Sequence, residues 1–158
     1  MEYVNLIKSL DEVGKDIIID ITNKLLAANK KATGDLIKSL DYKIIDTANG
    51  LVLNILSNES FKYVDGGRRA GAPPPPVKSI IPWVEAKGIK FVNKYNKIIS
   101  KEQTAFIIAR SIGIKGIKPL NIKEKVINDF YINKNELIKR GISLDISEYI
   151  KNNFKEQS

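Results

Sequence analysis

The sequence predicts an α+β fold, with a long N-terminal helix packed on a small antiparallel sheet, further short helices and a helical C-terminal extension. Two observations support this fold: an apolar stripe at helical spacing near the N-terminus, and two β-rich runs on either side of a turn signal. With 158 residues, 43% of them apolar, the chain can bury one core. The predicted division is a connector-like domain at 1–120 and a helical extension at 121–158, packed on that domain.

The first predicted helix runs from about Tyr3 to Ala28. Its apolar residues recur every three or four positions and draw one stripe along a helix: Leu6, Leu10, Val13, Ile17, Ile21 and Leu25. Asp11 precedes Lys15 by four positions, and Asp20 precedes Lys24 in the same way, which supports a helix. Gly14 is the weak point of this helix, and we expect the stripe to pack against the sheet.

Two β-rich runs follow at residues 40–45 and 51–56, and the segment between them ends in Asn49-Gly50. An Asn-Gly pair between two such runs is a strong signal for an antiparallel hairpin. The second run is nearly all apolar, so either both of its faces are covered or one face meets another subunit. Residues 61–64 are expected to extend the sheet.

The next segment, residues 65–76, contains three glycines and four prolines, so it cannot form a helix or an interior strand. We predict an extended loop there. A short helix follows from Val77, with Gly88 as its natural end. Ser100 and Gln103 have the spacing of a capping box at the start of another helix. Apolar spacing in the C-terminal third predicts further helices.

Missing residue types exclude several functions. The chain has no cysteine and no histidine, which excludes disulfides, thiol nucleophiles, thiolate or imidazole metal sites and histidine-based acid–base catalysis. No apolar run approaches the roughly 20 residues of a membrane span, and the N-terminus carries no secretion signal. We therefore predict a protein that is not an enzyme, with no catalytic, metal or cofactor-binding residues, no cofactor and no membrane contact.

The positive charge is concentrated in the middle of the chain. The sequence carries 26 basic and 18 acidic side chains, and residues 61–118 alone hold 12 basic and 3 acidic ones. Such an excess attracts polyanions or an acidic protein surface, whereas the simpler interpretation is a solvated lysine-rich surface. A basic nucleic-acid-binding protein is thus one candidate function, with Trp83, Phe91 and Tyr95 available to stack on bases.

Four segments, in their order along residues 3–120, resemble motifs of the neck and tail-completion proteins of tailed bacteriophages, which form head-to-tail connector rings. Residues 33–39 resemble a Thr-Gly-x-Leu-x-x-Ser element before the first strand, and residues 63–69 resemble a Tyr-to-Arg element after the hairpin. Residues 74–88 resemble a proline-led helix with a tryptophan, and residues 105–119 resemble a helix with an alanine–arginine step. Beyond Pro119 the chain departs from the family pattern.

The resemblance implies a structural virion protein that forms a ring in the phage neck and joins the portal to the tail. It implies a homo-oligomer of twelve or six copies. The partners would be portal or adaptor and tail proteins, with genomic DNA in the lumen. The protein would be located in the virion neck or tail, after assembly in the host cytoplasm. Lys, Ile and Asn fill 62 of 158 positions, a low-GC composition that suits phages of gut Bacteroidota, including the crAss-like group.

Two sets of residues are the candidate sites. The first is an assembly contact, in which prolines hold a loop extended toward a neighbour at low entropic cost: Asp65, Gly66, Gly67, Arg68, Arg69, Pro73, Pro74, Pro75, Pro76 and Trp83. The second is a structural motif in which Gly34 meets a backbone requirement and Leu36 fills the core: Thr33, Gly34, Leu36, Ser39 and Arg110. Arg110 is expected to reach a carboxylate or the helix edge. The alternative partner of the loop is DNA. The alternative role of Trp83 is that of a core residue.

Overall fold

The computed structural model describes residues 3–30 and 34–155 and confirms the predicted α+β fold. Its elements, in chain order, are α1 (Val4–Ala27), α2 (Asp35–Lys38), β1 (Asp41–Thr47), β2 (Gly50–Leu56), α3 (Ser60–Asp65), α4 (Val77–Lys87), α5 (Lys101–Lys115), α6 (Ile122–Asn133) and α7 (Asn135–Lys155). The part of the chain that the structure describes has no helix long and apolar enough to cross a membrane.

The elements belong to two compact units. The first unit comprises Met1–Lys24, Leu40–Leu56 and Ile122–Ser158, and the second comprises Leu25–Ser39 and Ser57–Asn121. Residues 40–56 share the first unit with α6 and α7. Within the first unit, α7 meets the start of α1, where Gly141 lies against Asn5 and Ser9.

The predicted stripe is the packing face of α1. Val13, Ile21 and Leu25 are buried, and Leu6, Leu10 and Ile17 are partly exposed. Full burial of one such aliphatic side chain is worth about 1.5–3 kcal/mol, so this stripe contributes substantially to stability.

Within the first unit, α1 meets the hairpin at Gly14 and Tyr42. A Cβ atom on Gly14 would lie 2.5 Å from the Tyr42 ring, so only glycine allows this approach. The Tyr42 hydroxyl donates a hydrogen bond of 2.6 Å to the Asp11 carboxylate, one helical turn earlier. The weak point in the helical pattern is therefore where the helix touches the sheet.

The two strands pair antiparallel, with Tyr42 opposite Ile55 and Ile45 opposite Val52. Tyr42 and Ile55 are partly buried, whereas Ile45 and Val52 are exposed on the other face of the hairpin. The second strand is therefore not covered on both faces. Since period-2 alternation places alternate residues on opposite faces, one apolar pair is left in solvent.

One prediction about the sheet is wrong: residues 61–64 lie in helix α3 and do not extend the hairpin. The Asn58 side chain accepts a hydrogen bond of 3.1 Å from the Ser60 amide and starts the helical turn. Phe61 and Val64, three positions apart, lie on one side of this turn, and Phe61 is buried. The local cap and the contacts of Phe61 outweigh the β-propensity of the segment.

The second unit is helical, and α4 packs on α5 within it. Ser100 caps α5 and forms the predicted capping box with Gln103, while α4 ends at Gly88 in the left-handed conformation, also as predicted. Pro82 lies inside α4. The core of the unit includes Leu36, Phe61, Val84, Ala105 and Ala109.

Candidate assembly surface

The predicted loop of residues 65–76, here called the glycine-proline loop, connects α3 to α4 and lies along the end of α5. Arg68 and Ile117 exchange two backbone hydrogen bonds, of 2.9 and 2.7 Å, and form an isolated antiparallel bridge. The Gly71 amide donates a third bond, of 2.8 Å, to the Gly113 carbonyl. The first half of the loop is thus fastened to its own unit.

Two glycines allow this close approach of backbone to backbone. Gly67 has φ 70° and Gly116 has φ 74°, in the region that favours glycine. A Cβ on Gly67 would lie 2.5 Å from the Ile117 carbonyl oxygen, and a Cβ on Gly116 would collide with the Arg68 carbonyl oxygen. The predicted contact residue Gly67 therefore serves the internal structure of the loop.

Arg68 is also engaged inside the loop. Its guanidinium donates to the Pro73 carbonyl oxygen and lies 5.7 Å from the centroid of the Tyr63 ring. Its Nε atom is buried and has no hydrogen-bond partner among the described residues. Arg69, in contrast, is exposed. Of the two predicted contact arginines, Arg69 is the one available to a neighbour.

The start of the loop is fixed by main-chain bonds. Asp65 is buried at the end of α3, and its carbonyl oxygen accepts bonds of 3.1 Å from the Leu120 and Asn121 amides. The Gly66 amide donates to the Lys62 carbonyl at 3.0 Å and closes α3. Asp65 and Gly66 therefore shape the start of the loop. Asp65 is buried and is not available to a neighbour, whereas Gly66 is exposed.

The proline run lines a shallow groove on α5. The groove has a volume of about 330 Å³ and is lined by Pro74, Pro75, Val77, Phe106, Ala109 and Arg110. Arg110 is exposed there, at the surface of the helix, in line with one of the two positions expected for it. Pro73 and Pro76 are exposed beside the groove. Arg110, which the sequence analysis assigned to the structural motif, therefore lines the same groove as Pro74 and Pro75.

Trp83 lies on α4, one residue before the buried Val84. Its side chain is 37% exposed, and it does not line the proline groove. A tryptophan at this level of exposure presents part of an apolar ring to solvent, which suits a contact with a partner.

The second predicted set includes the start of α2. Gly34 has φ 79° and precedes α2, where Leu36 is buried, as expected for both residues. The Ser39 hydroxyl donates to the Leu36 carbonyl at 2.8 Å and accepts from the Asn58 amide at 3.0 Å. Ser39 thus links α2 to the start of α3. Thr33 lies outside the described residues.

A second and larger groove, not foreseen from the sequence, lies on the other side of Phe106. It has a volume of about 520 Å³ and is lined by Val92, Asn93, Ile99, Glu102, Gln103, Phe106 and Ile107. Phe106 is exposed and lines both grooves. The Glu102 backbone amide and the Ser100 hydroxyl lower the pKa of the Glu102 carboxyl, so a negative charge is held at this groove.

The apolar lining and open form of both grooves suit the binding of side chains from another macromolecule. No protein-family model, curated protein or solved structure matches this chain. Among the described residues, no group of three or more acidic side chains is placed to hold a metal ion.

Proposed function

We propose that the chain is a structural subunit of a homo-oligomeric ring in the neck of a tailed bacteriophage, where it connects the portal to the tail. The proposal is supported most by an exposed apolar stripe on α7. Four large side chains recur at helical spacing along one side of this helix and are 39–50% exposed: Ile142, Ile146, Tyr149 and Ile150.

A neighbouring side of α7 is packed within the subunit. Gly141 and Asp145 are buried against the start of α1, about 100° around the helix from Ile142 and Ile146. The stripe, in contrast, is left about half exposed by the described residues of its own chain. Contiguous apolar surface of this kind is typical of a protein–protein interface.

The distribution of charge favours a head-to-tail contact, in which two different patches meet. The first unit holds 11 basic and 13 acidic side chains, a net charge of −2, and the second holds 15 and 5, a net charge of +10. Unlike charge on the two units favours contact between different parts of neighbouring copies. Repeated around a closed ring, such contacts are heterologous.

The place in the neck rests on the ordered motifs of residues 3–120, which resemble those of connector proteins. A ring subunit needs complementary surfaces and no catalytic group, so the absence of cysteine and histidine from the sequence is compatible with this function. Residues 69 and 73–76 and Trp83 would contribute contacts at the ring or with the adjacent neck layers.

The test begins with the size of the purified protein, by light scattering and negative-stain imaging. We expect a closed ring, and Ile146→Lys should dissociate it because a lysine cannot be buried unpaired in an apolar contact. The matched control is Leu144→Lys, since Leu144 is 43% exposed on another side of the same helix. This control should still form the ring.

Imaging of the protein mixed with a phage portal protein then tests the place in the neck. A ring stacked coaxially on the portal is the expected result. A wild-type protein that stays monomeric at high concentration, alone and with the portal, would contradict the proposed function. Rings that form equally well with either lysine variant would locate the contact elsewhere.

A further inference from the structure

We propose that residues 91–99 form a rigid basic hairpin that binds the phosphate backbone of nucleic acid without regard to sequence. The hairpin belongs to the second unit, between α4 and α5, and lies apart from the loop of residues 65–76 in sequence. The inference does not depend on ring formation, since a monomer that binds DNA through this hairpin would satisfy it.

The hairpin is held by its own hydrogen bonds. Val92 and Ile98 form an antiparallel bridge, and the Asn93 amide donates to the Lys97 carbonyl at 2.9 Å. The Asn93 side chain accepts bonds from the Tyr95 and Lys97 amides, at 2.9 and 3.1 Å, across the turn. Asn96 takes the left-handed conformation there, with φ 60°. A tip with this many local bonds loses little entropy on binding.

The charge on this segment is all of one sign. Residues 86–101 contain five lysines and no carboxylate. Two of the lysines are engaged, since Lys87 donates to the Asn29 side chain and Lys101 pairs with Glu85 at 2.5 Å. The remaining three, Lys90, Lys94 and Lys97, make no ion pair within the described residues and are exposed.

Tyr95 supplies a second kind of contact at the tip. Its side chain is 70% exposed, and the Lys94 ammonium lies 4.9 Å from its ring centroid. A tyrosine hydroxyl donates well to a phosphate oxygen, and a tyrosine ring stacks on an unpaired base. Both contacts tolerate any sequence.

The shape of the tip favours nucleic acid over an acidic protein. Tyr95, Asn96 and the neighbouring lysines are exposed at the turn of a two-stranded ribbon, whereas Val92, Asn93 and Ile99 line the apolar groove. The major groove of a duplex admits a two-stranded ribbon. An acidic protein segment would be expected to place apolar side chains in the groove and so to depend on Phe106.

The main test compares two triple variants that remove the same charge. One replaces Lys94 and Lys97 of the hairpin, together with Lys90 immediately before it, by glutamine. The control replaces three exposed basic residues of the first unit by glutamine: Lys43, Arg140 and Lys151. Binding to a short mixed-sequence duplex and to an oligothymidine strand is followed by fluorescence anisotropy between about 50 and 200 mM salt. All six positions are exposed, and thermal melting verifies that both variants fold.

We expect the hairpin variant to bind weakly and its log–log salt slope on the duplex to fall by about 2 to 3, since each phosphate contact contributes about 0.9. The control should keep the wild-type slope. Equal losses in both variants would overturn the hairpin as a site. Wild-type binding by the hairpin variant would overturn it as well, and a simultaneous loss of ring assembly would assign the hairpin to a protein contact.

Variants of Tyr95 separate the two nucleic-acid forms. Tyr95→Ala should weaken binding to the single strand roughly 5- to 100-fold if the ring stacks on a base, and Tyr95→Phe should then bind as wild type. Weaker duplex binding by Tyr95→Phe would instead indicate a bond from the hydroxyl to phosphate. If Tyr95→Ala binds both forms as wild type does, Tyr95 is not part of the site. Ring formation by these variants is measured separately, so either proposal can fail without the other.

Discussion

The Asp145 carboxylate, on the last helix, caps the first helix at Asn5. Its Oδ1 atom accepts from the Asn5 backbone amide and from the Asn5 side-chain amide, both at 2.9 Å, and its Oδ2 atom accepts from the Leu6 amide at 2.9 Å. The first amides of a helix have no partner within it, and α1 has no acidic residue in its first turn. The C-terminal helix therefore supplies both the acceptor and the charge that α1 lacks.

Asp145→Ala should destabilise the protein by about 1.5–3 kcal/mol, because it leaves two amides of α1 without a charged acceptor in a buried place. Asp145 is only 2% exposed, so water cannot easily replace it. Urea denaturation followed by circular dichroism measures the change. The control is Glu148→Ala, in an exposed position on the same helix, which should alter stability little. Equal effects from both variants would show that the cap is not important.

The same contact predicts loss of stability in acid. Burial raises the pKa of Asp145, but the bonds from the Asn5 and Leu6 amides, with the positive charge of Lys8, outweigh burial and lower the pKa below its ordinary value. Because the pKa is lower in the folded state, the carboxylate stabilises the fold above the unfolded pKa of about 3.9. That stability is lost as pH falls through the folded pKa.

Urea denaturation at a series of pH values from about 6 down to 2 tests this expectation. Wild type should lose stability more steeply than Asp145→Asn on the acid side of about pH 4, because the variant has no carboxyl to titrate there. Hydrogen bonds from Lys15, which has the larger effect, and from Tyr42 lower the pKa of Asp11. Asp11 therefore contributes to the acid sensitivity of both proteins. Identical curves for the two proteins would contradict the assignment to Asp145.

Gly14→Ala should destabilise the protein although alanine favours helices by about 1 kcal/mol over glycine. The new methyl group would lie 2.5 Å from the Tyr42 ring, and the hydroxyl of that ring is held by Asp11. Overpacking of this kind costs about 1–3 kcal/mol. In a Tyr42→Ala background the collision is removed, so the same substitution should become neutral or stabilising. A double-mutant cycle by denaturation measures the difference, and additive effects would exclude the contact.

Sequence patterns predicted the elements whose signals are local. The stripe from Leu6 to Leu25, the Asn49-Gly50 turn and the Ser100 capping box each act within one element, so α1, the hairpin and α5 were predictable. The cap on α1 was not, because Asn5 and Asp145 are 140 positions apart. Position 14 could be identified as a glycine in a helix, but only the packing of Tyr42 explains it.

The candidate site divides in the same way. A loop at residues 65–76 followed from its glycines and prolines, but the attachment of that loop to Ile117 and Gly113 depends on contacts between distant segments. For this reason Arg68 and Arg69, identical in type and adjacent, could not be told apart in sequence. The hairpin at 91–99 was not predicted. Asn93 and Asn96 are typical turn residues, but the apolar runs on either side are too short to be identified as strands.

Single substitutions of the two arginines should separate structure from assembly. Arg68→Ala should lower the melting temperature, because it removes the bond to the Pro73 carbonyl and the contact with Tyr63. Arg69→Ala should leave the melting temperature unchanged and weaken ring formation, since Arg69 is exposed. Calorimetry and light scattering on the same samples measure the two effects. If Arg68→Ala is as stable as wild type but assembles poorly, Arg68 is an assembly contact, as the sequence analysis predicted.

Gly116 and Gly88, the residues that end α5 and α4, are compared to test how the glycine-proline loop is fastened. Both have positive φ, at 74° and 61°, so alanine is strained at either position, and the strain is larger at Gly116, whose ψ of -169° places it in a region that is essentially restricted to glycine. A Cβ on Gly88 would meet nothing within 4 Å, whereas a Cβ on Gly116 would collide with the Arg68 carbonyl oxygen. Gly116→Ala should therefore destabilise the protein clearly more than Gly88→Ala. It should also break the two backbone hydrogen bonds between Arg68 and Ile117. Limited proteolysis within residues 66–76 should then accelerate in Gly116→Ala alone. Equal stability losses with equal cleavage rates would mean that the loop is not held by this bridge.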